Sequence, residues 1–292
     1  MLDLTIVIIT KNEEANLRKC IESFKGVAKR IVIVDSYSTD GTKKLCEILK
    51  EKNNISFYEH KFENHAAQLN WAFNNTDIDT KWTMRMDADE EFTLELVEEL
   101  KEKLPNISEE VNGIILKRRV YFMGRWIKHG GKYPELLLRI FRTGFGECEQ
   151  KLMDEHLIIK SGNTIAFDKD IIDNNNKSLE WWTNKHNWYS NKEVEDYQRK
   201  LVEQSLMDES ITSKQAERKR YIKNNGYYKL PLFLRAHIYF IYRYYVRLGF
   251  LDGKEGKIYH FLQAYWYRFL VDAKIYECDK FDMKMEEQKD LN

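Results

Sequence analysis

Two aspartates one residue apart, Asp87 and Asp89, end an alternating apolar run in the segment MRMDADEEF, residues 84–92. Carboxylates in this position can hold Mg²⁺ or Mn²⁺, hard cations that take one or two protein oxygens and complete their shell with phosphate oxygens. The segment therefore predicts a site for a divalent metal and a phosphate-bearing ligand. The alternative is helix capping, in which Asp89 caps the following helix while Glu90 and Glu91 favour its positive end.

Polar side chains follow two other apolar runs near the start of the chain. The run LTIVIIT leads into Thr10, Asn12 and Glu13, and the run RIVIVD ends in Asp35. Ligands of open parallel sheets bind beyond the carboxyl ends of the strands, so we expect these side chains to share one crevice with Asp87. For Asp35 the alternative is an ordinary turn residue in DSYSTDG.

Two common phosphate-binding motifs are absent from the sequence, namely GxGxxG after the first strand and GxxxxGK[ST] anywhere. Metal-bound carboxylates therefore fit better than backbone amides as the phosphate cradle. A sugar-phosphate nucleotidyltransferase would need a Gly-rich, Arg-containing loop after the first strand, and TKNEEANL has no glycine. A phosphatase with an aspartyl nucleophile would need its Asp-x-Asp after that strand, where Thr10 stands.

The elements that position these residues are strands alternating with helices over the first hundred residues. The runs ISFYEH and WTMRMD indicate two further strands, and the intervening segments NEEANLRKCIESFKGV and DGTKKLCEILKEK carry apolar residues at helical spacing. This alternation predicts right-handed crossovers and a three-layer α/β sandwich with a parallel sheet. From residue 113, GIILKRRVYF and LLLRIFRT indicate a second sheet element.

Composition and charge exclude several classes of protein. Lysine plus arginine equals aspartate plus glutamate, 47 each, so we expect no nucleic-acid partner. The four cysteines lie far apart, which is typical of a reduced cytosolic chain rather than a metal or redox motif. No run reaches the ~18 apolar residues that a membrane span needs. Residues 1–10 lead straight into a strand, so we expect no signal peptide.

The motifs VIITKNEEANL, IVIVDSYSTDGT and MRMDADEEF together resemble family 2 glycosyltransferases of the GT-A fold, which transfer a sugar from a nucleotide diphosphate with inversion. The resemblance covers about residues 1 to 160. It implies that Asp87 lies near the ribose and diphosphate and that Asp89 binds Mg²⁺ or Mn²⁺. It also implies that four residues surround the uracil and ribose: Thr10, Asn12, Glu13 and Asp35. For the segment HAAQLNWAF, the resemblance implies that Gln68 and Asn70 are secondary contacts of the nucleotide-sugar donor.

Three further segments, YPELLLRIFR, MDEHLIIKSG and RLGFLDGKEG, are similar to small bacterial enzymes that build lipopolysaccharide core, O-antigen or capsule. That subgroup usually has His where this chain has Asp154. The resemblance implies a UDP-hexose or UDP-N-acetylhexosamine donor and a lipid-linked saccharide acceptor. We accordingly expect a GT-A catalytic domain over 1–176, with a nucleotide-sugar half at 1–110 and an acceptor half at 111–176, followed by a helical region at 177–292.

Inverting transfer needs a base that removes the proton of the acceptor hydroxyl. We assign this role to Glu155, with Asp154 as the substitute, because adjacent residues of a strand point to opposite faces and only one can reach the crevice. The alternative is that both are ordinary loop acids. Arg139 is expected to contact phosphate or acceptor, whereas Arg142 is better explained as an exposed strand residue.

Nine aromatic residues and no acid lie between Tyr227 and Phe250, with four Lys or Arg among them. This composition is typical of amphipathic helices that bind anionic lipid. The resemblance to a subgroup with lipid-linked acceptors implies peripheral attachment to the inner face of the cytoplasmic membrane. The alternative is a helical hairpin under the sheet with the aromatics as core. A rival function is a catalytically silent nucleotide-sugar-binding subunit of a membrane assembly.

Overall fold

The computed structural model describes residues 1–149, 156–202 and 226–281. Its strands are β1 (Leu2–Thr10), β2 (Ala28–Asp35), β3 (Ile55–Glu59), β4 (Trp82–Asp87), β5 (Glu90–Phe92), β6 (Val111–Phe122), β7 (Arg125–Trp126), β8 (Glu135–Arg142), β9 (Gly146–Cys148), β10 (Leu157–Ile159) and β11 (Asn163–Asp173). Its α-helices are α1 (Glu14–Ser23), α2 (Thr42–Lys50), α3 (His65–Asn75), α4 (Leu94–Lys103), α5 (Leu179–Val202), α6 (Leu234–Ile241), α7 (Gly253–His260) and α8 (Tyr267–Phe281). Two π-helical turns, Tyr242–Val246 and Phe261–Trp266, follow α6 and α7.

One sheet runs in the order β3-β2-β1-β4-β8-β6-β11-β5, with β7 paired to β6. Strands β3, β2, β1 and β4 pair parallel with one another, which confirms the α/β pattern predicted for the first hundred residues. The predicted second sheet element was wrong, because β8 pairs antiparallel with both β4 and β6 and extends the same sheet. This pairing satisfies the backbone groups along the free edge of β4.

Helices cover both faces of the parallel half of the sheet. Leu17 and Ile21 of α1, with Phe24 directly after it, pack in one core cluster with Ile6 and Ile8 of β1. On the opposite face, Ala72 of α3 packs against Val7 and two valines of β2. Because a strand presents alternate side chains to opposite faces, the unbroken apolar run of β1 fills both cores. The three-layer arrangement predicted from the sequence is thereby confirmed.

The helices after residue 177 form a smaller core. Val194 of α5 packs with Tyr267, Val271 and Ile275 of α8. The Arg235 guanidinium pairs with the Asp272 carboxylate, and both side chains are buried. The boundary predicted at residue 176 falls between β11 and α5 and stays a prediction. Within the described ranges, no helix is both long and apolar enough to cross a membrane.

Candidate active site

The ends of β1, β2 and β4 lie side by side, as the sequence predicted. In the strand register Thr10 pairs with Asp35 and Ile9 pairs with Asp87. The Thr10 hydroxyl donates a hydrogen bond to the Asp35 carboxylate at 2.8 Å. Three separate sequence clusters therefore meet at one edge of the parallel sheet, where ligands of open α/β folds bind.

Asp35 is 1% exposed, and both of its carboxylate oxygens are used within the protein. One oxygen accepts hydrogen bonds from the hydroxyls of Thr10 and Ser38, and the other accepts from the Ser38 backbone N–H at 2.7 Å. This geometry matches the turn interpretation. The hydrogen bond from the Ser38 backbone N–H to the Asp35 carboxylate fixes the backbone directly after the strand. Asp35 thus shapes the loop at 36–38 that borders the crevice.

Asn12 and Glu13 join the β1 end to neighbouring segments. Asn12 has a φ of 56°, a left-handed conformation that asparagine tolerates, and its side-chain oxygen accepts from the Thr39 N–H at 2.8 Å. The Glu13 carboxylate accepts from Lys177 at 2.7 Å and from Asn16 at 2.8 Å. Burial raises the pKa of Glu13, and the Lys177 ammonium opposes that rise.

Gln68 and Asn70 lie on α3 and have different surroundings. The fully buried Gln68 side chain donates an amide N–H to the Ser36 hydroxyl at 3.1 Å, and its amide oxygen accepts from Nδ1 of the His60 ring at 2.8 Å. Gln68 therefore supports the same loop as Asp35. Asn70 instead forms a paired hydrogen bond with the backbone N–H and C=O of Cys148, each at 2.8 Å. Its amide holds β9 against α3.

The loop at Asp89 is fixed by the segment that follows β11. The Asp89 carbonyl accepts from the Asn174 N–H at 2.9 Å, and one carboxylate oxygen accepts from the Asn175 amide at 2.8 Å. Asp89 does not cap a helix, because Thr93 is the N-cap of α4 and its hydroxyl accepts from the Leu96 N–H. The capping interpretation of Asp89 was therefore wrong. Its half-buried carboxylate keeps one oxygen without a hydrogen-bond donor among the described residues.

Asp87 lies between two arginines. Its carboxylate is 3.4 Å from the Arg85 guanidinium and 3.2 Å from that of Arg139. Burial by itself would raise the pKa of Asp87, but Arg85 and Arg139 hold that pKa well below its usual range. Asp87 is therefore ionised throughout the physiological range.

Glu90 occupies the centre of a buried charge network instead of a helix end. It lies on β5, which pairs with β11, and its carboxylate contacts Arg139 directly and lies 3.8 Å from Arg118. Arg118 also bonds Glu135 at 2.8 Å and Asp173 at 3.3 Å. Burial raises the pKa of Glu90 to about 8 despite Arg139. Burial likewise raises the pKa of Asp173 to about 6 despite Arg118.

The sequence prediction missed several residues of this region. Arg118, Asp173 and Lys177 approach the predicted site residues, and Asn174 and Asn175 fix the Asp89 loop. A usable signal was the run DNNNK directly after a strand, since polar residues at a strand end were the criterion applied to β1, β2 and β4. Arg118 gives no such signal, because its partners are far away in sequence.

The two arginines of β8 are both buried, which corrects the expectation of an exposed Arg142. Arg139 is 3% exposed and contacts Asp87 and Glu90, so it belongs to the predicted site. Arg142 bonds the Asn112 side chain and lies over the Trp82 ring at 4.7 Å. Arg142 therefore stabilises the sheet away from the strand ends.

The base candidates Asp154 and Glu155 lie outside the described residues. The residues on either side of them are held together, since the Glu149 N–H donates to the His156 carbonyl at 2.9 Å. Strands β9 and β10 then continue this antiparallel pairing. The assignment of the base stays a prediction.

No group of three or more His, Cys, Asp or Glu that could enclose a metal occurs in the described part of the chain. Asp89 nevertheless suits a hard cation, since it offers a free oxygen at a strand end beside Asp87. Magnesium commonly binds through one or two carboxylates and takes its other ligands from substrate phosphates and water. The donor set therefore fits a metal that arrives with a diphosphate, not a preformed protein cage.

A family model described as glycosyl transferase family 2 matches residues 5–175, more than half of the chain. The chain therefore belongs to glycosyl transferase family 2. This confirms the resemblance drawn from the three strand-end motifs.

Two curated relatives are also named as glycosyltransferases. The chain is 34% identical over 166 residues to the lipopolysaccharide core biosynthesis glycosyltransferase LpsC of Rhizobium meliloti (strain 1021), which covers 56% of this chain and 59% of that protein. An uncharacterized glycosyltransferase of Rickettsia bellii (strain RML369-C) is 34% identical over 98 residues, covering 34% of this chain and 31% of the relative. The chain thus matches less than two thirds of the length of either relative.

Among solved structures, S. aureus TarS 1–349 in complex with UDP-GlcNAc has a TM-score of 0.52 to this protein at 13% identity. The likeness covers 99% of this chain and 98% of the TarS chain, and at this identity it concerns the fold alone. It confirms the expected GT-A fold followed by a helical C-terminal region.

Proposed function

We propose that this protein transfers a hexose or N-acetylhexosamine from a UDP donor, with inversion, to a lipid-linked saccharide in bacterial surface polysaccharide synthesis. The observation that carries the proposal is the half-buried Asp89, fixed by Asn174 and Asn175 beside the ionised Asp87 at a shared strand end. The similarity to LpsC supports a lipopolysaccharide core acceptor, with O-antigen and capsule precursors as related acceptors.

Asp89, with Asp87 beside it, would hold Mg²⁺ or Mn²⁺ in this proposal. Such an ion supplies Lewis-acid stabilisation of the departing nucleoside diphosphate. The loop shaped by Thr10, Asp35 and Gln68 would border the uridine, and Asn12 and Glu13 would line the same side. Arg139 holds Asp87 in place, and Glu155 would take the proton of the acceptor hydroxyl.

The metal proposal is tested by Asp89→Ala, assayed for Mn²⁺-dependent release of UDP from UDP-GlcNAc and UDP-glucose. We expect a loss of at least about 100-fold, since Lewis-acid stabilisation is worth several kcal/mol. Asp79→Ala, which changes an exposed acid, is the control and should keep full activity. Undiminished metal-dependent release by Asp89→Ala would refute the role of Asp89. If the unmodified protein binds UDP but does not release UDP from either UDP-sugar, the result would favour a catalytically silent nucleotide-sugar-binding subunit.

The base is tested by Glu155→Gln, which keeps the shape of the side chain and removes its proton affinity. We expect sugar transfer to fall by about 100-fold or more, because general base catalysis contributes roughly 10² to 10⁴. UDP binding measured by calorimetry should be unchanged, since the base acts on the acceptor. Asp154→Asn is the control and should keep most of the activity. If instead Asp154→Asn is inactive and Glu155→Gln is not, the two roles are exchanged.

A further inference from the structure

Arg243 is a buried cation without a carboxylate partner in the described residues. Its side chain is 7% exposed, and one guanidinium nitrogen donates to the Tyr239 hydroxyl at 2.7 Å. The Nε and the second terminal nitrogen are buried and have no hydrogen-bond partner among the described residues. Buried charged donors are almost always paired, because an unsatisfied one loses its hydration without compensation. The unused donors of Arg243 therefore indicate a ligand.

A second cation, Lys132, lies within electrostatic reach of Arg243. Burial and the charge of Arg243 both oppose ionisation of Lys132, but Glu135 outweighs them and the pKa of Lys132 is raised. The Lys132 ammonium is 4.0 Å from the Glu135 carboxylate, which already bonds Arg118 at 2.8 Å. Glu135 is thus shared between two cations.

The two cations come from different segments that are locked together. Lys132 follows β7 in the loop at 127–134, whereas Arg243 lies on the π-helical turn after α6. The Gly130 N–H donates to the Arg247 carbonyl at 2.8 Å, and the His129 ring and N–H both bond Asp252, at 2.6 and 2.9 Å. The cations are therefore held at a fixed spacing before any ligand binds, which lowers the entropic cost of binding.

A close backbone approach supports this junction. The His260 ring fits against Gly130, where an added Cβ would lie 2.1 Å from the ring, and against Gly249, where it would lie 2.7 Å away. Gly130 also has a φ of 65°, so a side chain there would be strained as well as blocked. The segments HGGKYPE and RLGFLDGKEG, which flank these glycines, are thus explained as the two halves of one rigid contact.

We propose that Arg243, Lys132 and Tyr239 form a subsite for an oxyanion, a phosphate or a carboxylate, on the acceptor molecule. A guanidinium fork and an ammonium are the side chains that bind such groups best. The subsite lies on the β8 side of the Asp87–Asp89 strand end, opposite the strands that border the uridine, since β8 pairs with β4 on the edge away from β1. Its assignment to the acceptor rests on the proposed transferase function.

The test measures the melting temperature of the full chain during titration with inorganic phosphate or acetate, at constant ionic strength set with NaCl. Each titration is repeated with saturating UDP and Mn²⁺. Arg243→Met and Lys132→Met remove one cation each while keeping an unbranched apolar side chain. Arg247→Met is the matched control, because Arg247 is an exposed arginine of the same junction whose hydrogen bond to it comes from the backbone carbonyl and whose guanidinium lies over Gly131.

We expect phosphate to raise the melting temperature of the unmodified protein in a saturable manner with UDP present. The apparent Kd for phosphate should rise at least about tenfold in Arg243→Met and in Lys132→Met, and it should not change in Arg247→Met. Acetate binding with the same dependence would identify a carboxylate subsite. Equal binding by all variants would overturn the subsite. Loss of UDP binding in Arg243→Met would overturn its assignment to the acceptor, placing the donor diphosphate there.

These outcomes are independent of those that test the transferase function. If the unmodified protein neither binds UDP nor releases it, the proposed function fails while phosphate binding through Arg243 still stands. If the protein releases UDP from a UDP-sugar but phosphate binds all variants equally, only the subsite proposal fails. Should Arg243→Met not fold, Lys132→Met gives the same comparison, because Lys132 lies on a loop and not in a helix.

Discussion

Buried charge is the main feature of the site at the scale of single residues. Arg139 and Glu90 are 3% and 0% exposed and contact each other, and Arg139 also bonds Asp87. Removing one partner of such a pair leaves the other as an uncompensated buried charge. Arg139 therefore has a structural role in addition to any effect on phosphate, since it keeps Asp87 oriented toward the crevice.

Arg139→Met tests this role. We expect the free energy of unfolding at pH 7 to fall by about 3–5 kcal/mol, the range for breaking a buried ion pair, because the ionised Asp87 loses its Arg139 partner. Urea denaturation measures it. The control is Arg18→Met, which removes an exposed pair with Glu22 at 3.7 Å and should cost less than about 1 kcal/mol. A loss below about 1 kcal/mol for Arg139→Met would show that the Arg139–Asp87 pair does not stabilise the fold.

At the scale of elements, the short strands β9 and β10 depend on α3. Asn70 satisfies both backbone groups of Cys148, and Cys148 pairs with Leu157 across the two strands. The family resemblance placed Asn70 among the contacts of the nucleotide-sugar donor, and that role stays a prediction. In the structure Asn70 also positions the strands on either side of the base candidates, because its amide bonds β9 at Cys148.

Asn70→Ala should expose this dependence. Asn70→Ala removes two hydrogen bonds to the buried Cys148 backbone, so we expect a stability loss of about 1–3 kcal/mol. Hydrogen exchange at 146–148 and 157–159 should become faster while exchange in β1 and β2 stays unchanged. Asn75→Ala, on the same helix, removes only a bond to the Trp71 carbonyl and is the control. Unchanged exchange in β9 would contradict the role.

At the scale of the whole molecule, the helices after residue 226 expose an unusual amount of apolar surface. Large apolar side chains there are about half exposed or more, among them Ile241 at 52%, Val246 at 65% and Leu251 at 49%. Exposed cations lie on the same region, namely Arg247, Lys254 and Lys257. Surfaces of this kind favour the membrane hypothesis over the core hypothesis for these residues, because a hairpin packed under the sheet would bury them.

We expect the protein to sediment with liposomes that contain anionic lipid at low salt, and less so at high salt, because screening weakens the attraction. The double variant Ile241→Glu, Val246→Glu should bind at least about tenfold more weakly, since burying a charge in the interface is costly. Ile48→Glu, which changes an exposed isoleucine of α2, is the control. Equal sedimentation of both variants would reject peripheral binding through this surface.

The sequence by itself determined the parallel half of the sheet and the strand-end location of the site. Strands β1, β2 and β4 are unbroken or alternating apolar runs, so their period and their polar ends are local properties. Thr10, Asp35, Asp87 and Asp89 were found in this way, because each follows its strand directly. The family motifs depend on the same local segments.

Only the tertiary structure decided which charges meet. The sequence indicated that Glu90 lies at the start of a helix. In the structure Glu90 belongs to a strand, because Asp173 of β11, which is distant in sequence, pairs with it. Arg118 reaches Glu90, Glu135 and Asp173 only because β6 lies between β8 and β11 in the sheet order. The order of strands depends on pairing between distant segments, and a pattern with a period of two or 3.6 residues carries no information about it. For the same reason the junction between the loop at 127–134 and the segment that carries Arg243 could not be predicted.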